Sequence, residues 1–113
     1  MHSEHHVFLY DTTSGSQPKF MQKGDENAKI LDICFSTKST PQQPLFSTVG
    51  LKHVKFWAPF HQIKVRNAVY NGVAKRTLFS CVTYTGQGLC ITGAANGALY
   101  FWNGKTLQSI MKV

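Results

Sequence analysis

The residues able to do chemistry in this chain are few and poorly placed for it. His2, His5 and His6 lie in "HSEHH" (2–6). Three imidazoles can hold a transition metal, but a metal site needs ligands fixed at regular spacing. This run is loose and terminal, and reads as a frayed end. His53 and His61 stand singly near turn formers and read as structural or surface residues. "TGQG" (85–88) has Gly-x-Gly but lacks the third glycine of a dinucleotide fingerprint, and no helical pattern follows it. It reads as a hairpin turn rather than a phosphate cradle. Ser47, Thr48 and Thr92 have no acid–base partner in the pattern. Cys34, Cys81 and Cys90 are odd in number, lack CxxC spacing and sit in apolar runs, so buried free thiols are expected. Paired acid–base catalysis needs two titratable groups across a substrate, and the carboxylates are too few and too clustered. The expectation is a non-enzyme with no cofactor and no metal.

Charge is the more informative property. The five acids are Glu4, Asp11, Asp25, Glu26 and Asp32. Residues 33–113 contain none, but hold nine cations: Lys38, Lys52, Lys55, Lys64, Arg66, Lys75, Arg76, Lys105 and Lys112. The net charge is +7. A surface of one sign attracts and steers an acidic partner. The alternative is a solvated basic face balanced by acids elsewhere in a longer protein. The aromatic residues end apolar runs rather than interleave with Lys and Arg, so nucleic acid is not the expected partner.

The elements that must carry these residues are short and repeated. "VFLYD" (7–11), "VKFWA" (54–58) and "LYFWN" (99–103) align so that Tyr10, Trp57 and Trp102 stand 47 and 45 residues apart. Before Trp57 come "ILDICFS" (30–36) and "LFSTVG" (45–50). Before Trp102 come "LFSCVTY" (78–84) and "LCITG" (89–93). After the aromatic ends come "PKFMQK" (18–23), "HQIKVRNAV" (61–69) and "TLQSIMKV" (106–113). Each is a short apolar, β-branched or aromatic run bounded by turn formers. Asn96-Gly97 and Asn103-Gly104 predict type I′ hairpin turns, which need positive φ at both central residues.

Four strands per repeat of this length, with an aromatic residue closing the third, describe a β-propeller blade. Both blade faces pack on neighbours, so inner strands read as apolar runs, and the closing aromatic fills the gap between blades. An antiparallel sandwich is the alternative, but it need not repeat its turns at a fixed offset. The expected organisation is residues 1–24 as end strands of one blade, 25–69 as a complete blade and 70–113 as another. About two and a half blades cannot close a ring, which typically needs four to eight, so a fragment of a larger propeller is expected. The chain contains no run of ~18 apolar residues able to span a bilayer and no signal-peptide order. No membrane partner is expected, and the expected location is cytoplasmic.

The motifs also resemble a known family. "TGAANGALYFW" (92–102) is similar to the core of a WD repeat, Ser-Gly-Ser-x-Asp-Gly followed by alternating apolar residues and Trp-Asp. Thr92, Gly93, Asn96, Gly97 and Trp102 fall on that pattern. Asn96 stands where Asp is usual, Asn103 and Ala58 replace the Asp after Trp, and no Gly-His opens either repeat. "VGLKHVKFW" (49–57), with its shortened turn after Gly50, resembles the echinoderm microtubule-associated protein-like family, as do "AKRTLF" (74–79) and "ITGAANGALYFW" (91–102). That resemblance implies WD-repeat blades in a tandem propeller that binds tubulin and microtubules, on the cytoskeleton and in some settings the cilium. Candidate contacts are Lys52, His53, Lys55, Arg66, Lys75 and Arg76. Trp57, Trp102, Tyr10, Gly50, Gly93, Asn96 and Gly97 are expected to build the blades. The competing expectation is a generic protein-interaction propeller with a non-tubulin partner.

Overall fold

In the computed structural model the described residues are 6–10, 18–23, 30–70 and 77–112, with side chains described for the last two ranges. The chain is all-β. Strands β1 (His6–Tyr10) and β2 (Pro18–Lys23) form an antiparallel pair. Next come β3 (Ile30–Phe35), β4 (Phe46–Gly50), β5 (His53–Trp57) and β6 (Val65–Asn67), an antiparallel sheet in sequence order. The last four are β7 (Phe79–Tyr84), β8 (Cys90–Ala94), β9 (Ala98–Asn103) and β10 (Thr106–Lys112), a second sheet of the same order. The run 61–69 contributes only the three residues of β6.

The two sheets repeat in detail. Both first strands slip register at their start, between Ile30 and Asp32 and between Phe79 and Cys81. Such a bulge bends the strand and strengthens its twist. Cross-strand partners fix the alignment: Gly50 faces His53 as Ala94 precedes Ala98, and Val49 faces Val54 as Gly93 faces Leu99. The β4–β5 turn is therefore one residue shorter than the β8–β9 turn, and Gly50 corresponds to Ala94 rather than to Gly93.

The Asn-Gly turns are not type I′. At the β8–β9 turn only Gly97 has positive φ, 88°, and its N–H donates to Ala94 O at 3.0 Å. That is a type I turn followed by a left-handed glycine. Asn96 contributes instead through its side chain, whose Oδ1 accepts from Ala98 N at 3.0 Å. At the β9–β10 turn only Gly104 (φ 60°) is left-handed, the pattern of a II′ turn.

The core lies between the sheets. Strand alternation sends Val49, Val54 and Phe56 of the first sheet toward Phe79, Val82, Tyr100 and Trp102 of the second. Trp102 meets Phe56 edge-on at 6.0 Å and Tyr70 at 5.2 Å between ring centroids, the packing favoured by the ring quadrupole. Trp57 occupies the same place in the first sheet but points to its other face, stacked on Phe46 at 5.7 Å. On that face Leu31, Ile33 and Phe35 of β3 are exposed.

Polar links close the seam. Asp32 Oδ2 accepts from Val82 N at 3.0 Å, and Thr37 Oγ1 donates to Thr85 O at 2.7 Å. Lys52 N donates to Thr77 O at 2.9 Å. The stretch after β6 runs parallel to β10, with Val69 N on Lys105 O and Leu107 N on Val69 O.

Candidate functional site

An up-and-down sheet sends alternate turns to opposite ends. The β3–β4, β5–β6, β7–β8 and β9–β10 turns share one end, here called the first. The β4–β5 and β8–β9 turns share the second. This topology decides which cations meet, whatever their separation in sequence.

At the second end, Lys52, His53 and Lys55 line a cavity of about 210 Å³ with Asn67 and Tyr70. Lys52 is exposed and Lys55 half-buried. Lys52 has φ of 54°, a left-handed conformation that strains a side-chain-bearing residue. His53 is not a surface contact. It is 1% exposed, because it opens β5 instead of sitting in the turn. Its Nε2 lies 2.7 Å from Thr48 Oγ1, which also accepts the Trp57 indole N–H at 2.9 Å. Thr92 accepts the Trp102 N–H at 2.9 Å in the second sheet. There Ala98 stands at the place of His53, so the indole–hydroxyl link repeats while the histidine belongs to one blade. Trp57 and Trp102 are both buried, and Gly93 leaves room for Cys81, whose Sγ lies 2.5 Å from where a Cβ would stand.

Arg66, one residue before Asn67 on β6, does not share that cavity. It lines a cavity of about 280 Å³ at the first end, on the seam between the sheets. Lys38 and Lys105, which the candidate contacts omit, share it. Only the alternation of turns could have brought them to notice. Lys75, Arg76 and the side chains of His2, His5, His6 and Tyr10 lie outside the described residues.

The thiols are not uniformly buried: Cys90 is buried, Cys34 half-buried and Cys81 exposed. Burial pushes the Cys90 thiol up to about 11, and burial followed by Asp32 raises Cys34. Neither is a ready thiolate nucleophile. Burial raises the Tyr84 phenol strongly; its hydroxyl is hydrogen-bonded to Ser47 Oγ across the seam. Among the described residues no group of three His, Cys, Asp or Glu could hold a metal ion.

No protein-family profile matches the chain, and no solved structure matches it. It is 28% identical over 112 residues to the ciliary WD repeat-containing protein ctxp80 of Euplotoides octocarinatus. The match covers 98% of this chain and 15% of that protein. With the two four-stranded sheets, this likeness gives the fold as WD-repeat propeller blades.

Proposed function

We propose that the chain is a non-catalytic scaffold segment of a microtubule-associated protein, akin to the echinoderm microtubule-associated protein-like family. Its cations face the acidic surface and tails of tubulin. The observation that carries this reading is the one-signed charge of residues 33–113, nine cations and no carboxylate. The fold leaves Lys38, Lys52, Lys64, Arg66, Lys105 and Lys112 exposed. Asp32, the acid preceding that stretch, is engaged with Val82 N. A cilium is built on microtubules, so the ciliary relative agrees in direction. Residues 25–69 and 70–113 are taken as the two blades, with further blades of a parent chain completing the ring and the cytoskeleton as location.

Binding held by exposed charges weakens as salt screens them. The full-length protein is expected to pellet with microtubules at low ionic strength and to release as salt rises. Failure to pellet at low salt would sink the tubulin reading. It would leave the generic interaction propeller, whose sign is a stoichiometric non-tubulin partner in a pull-down.

A further inference from the structure

We propose that the seam cavity at the first end takes an acidic peptide segment by inserting one bulky apolar side chain between the blades. All four turns of that end line the cavity, together with Phe56 from β5 and Tyr84 and Cys90 from the second sheet. The lining includes the apolar and aromatic Leu45, Phe46, Phe56, Trp57 and Ile63, while Lys38, Arg66 and Lys105 line it too and are all three exposed. Tyr84 and Cys90 are neutral at neutral pH, and burial raises both further, so the interior adds no negative charge.

Lys38 is placed there by packing. Its Cε and Cγ lie 3.0 Å from where a Cβ on Gly88 would stand, and Gly88 has φ of 88°. The positive φ favours glycine, and a side chain there would push the lysine stem aside. The lysine stem therefore lies along the β7–β8 turn and carries its ammonium across the seam from blade one to blade two. Such a stem covers apolar surface while its head stays in water.

The occupant follows from this pairing of features. A small inorganic anion would use the cations and waste the apolar interior. A purely apolar ligand would leave the cations unused. A nucleic-acid strand is tracked by cations along a path, whereas these three line one cavity. A carboxylate-rich peptide with an aromatic or large aliphatic residue uses both. This deepens the scaffold reading by naming where an acidic partner enters, and it rests on that reading.

The test uses the full-length protein and three labelled peptides, read by fluorescence polarisation at low salt. One is a glutamate run with a central Phe, one the same run with Ser, and one a glutamine run with Phe. The Glu–Phe peptide is expected to bind about tenfold more tightly than either control. Lys38→Met, which keeps the stem on Gly88, and Lys105→Glu are each expected to weaken it about tenfold, with unchanged thermal melting. Ala95→Glu, on the exposed β8–β9 turn at the other end, is expected to leave it unchanged. Equal binding of the Ser and Phe peptides, or equal loss in Ala95→Glu, would overturn the cavity. So would displacement by a single-stranded oligonucleotide that binds as well in Lys105→Glu. Microtubule pelleting of the same preparations separates the two claims. Pelleting with no peptide preference removes the cavity and keeps the tubulin reading, whereas peptide preference without pelleting supports the cavity and removes tubulin.

Discussion

At the scale of single residues, the blades are pinned by one hydroxyl each. Thr48 Oγ1 serves both Trp57 and His53, whereas Thr92 Oγ1 serves Trp102. All three hydroxyl links are buried, and removing a partner from a buried hydrogen bond costs roughly 1–3 kcal/mol. Valine keeps the β-branched shape of threonine and its fit to a strand, so only the hydroxyl changes. Thr92→Val should lower stability by roughly 1–3 kcal/mol and Thr48→Val by about twice that. Urea unfolding of the two variants checks the ratio. Equal losses would mean that His53 adds nothing to the network and is simply a buried ring. The same geometry explains why His53 misleads in sequence. "GLKH" has the look of a turn, and nothing in the letters says that the turn ends at Lys52 and the strand begins with His53.

At the scale of elements, the β4–β5 turn is the odd one among the described turns. Two residues, Leu51 and Lys52, link strands whose end residues are the pair Gly50 and His53. The turn demands a left-handed residue, and the chain supplies lysine, with φ of 54°, at a conformational penalty of about 1 kcal/mol. A Lys52→Gly change relaxes that strain and keeps the N–H donated to Thr77 O. The melting temperature is expected to rise by a few degrees, the equivalent of ~0.5–1 kcal/mol in a domain of this size. If the lysine is there for a partner, the same variant loses microtubule affinity while gaining stability. A variant that melts lower would show that the side chain, not the backbone, governs the turn.

Among the strands whose side chains are described, β3 and β9 shield alternate positions and β4 is buried on both faces, which made them legible beside turn formers such as Gly50, Gly86 and Asn103. The turns were legible in place but not in type. Asn-Gly names a site where positive φ is easy, while the number of residues between paired strands decides which residue takes it. The cation cluster was not legible in the same way. Lys38, Arg66 and Lys105 are joined by the alternation of turns and by the seam, and no local pattern links them.

At the scale of the whole molecule, stability rests on the blade–blade seam, and the seam holds the groups whose proton affinity folding raises. Cys34 reaches it from β3; Tyr70 from the stretch after β6; Tyr84 and Cys90 from the second sheet. Burial carries Cys90 from 9.0 to about 11 and Tyr70 from 10.0 to about 12, and raises Tyr84 and Cys34 in the same direction. These groups are neutral when protonated, so the folded chain holds protons that the unfolded chain has already lost above pH 9. Stability then falls as pH rises, because the unfolded state binds fewer protons. Below the ordinary thiol value these groups make no difference, and the urea midpoint should be flat from neutral pH to about 9. It should then fall through about 11 to 12, as a buried thiolate and phenolate are forced into the seam. Cys90→Ala lowers the plateau through the cavity it leaves, but it should also flatten the first part of the decline, which Cys90 dominates. The slope, rather than the plateau, is therefore the diagnostic. A midpoint unchanged up to pH 11, or a decline identical in Cys90→Ala, would mean that the blades part elsewhere than at this seam.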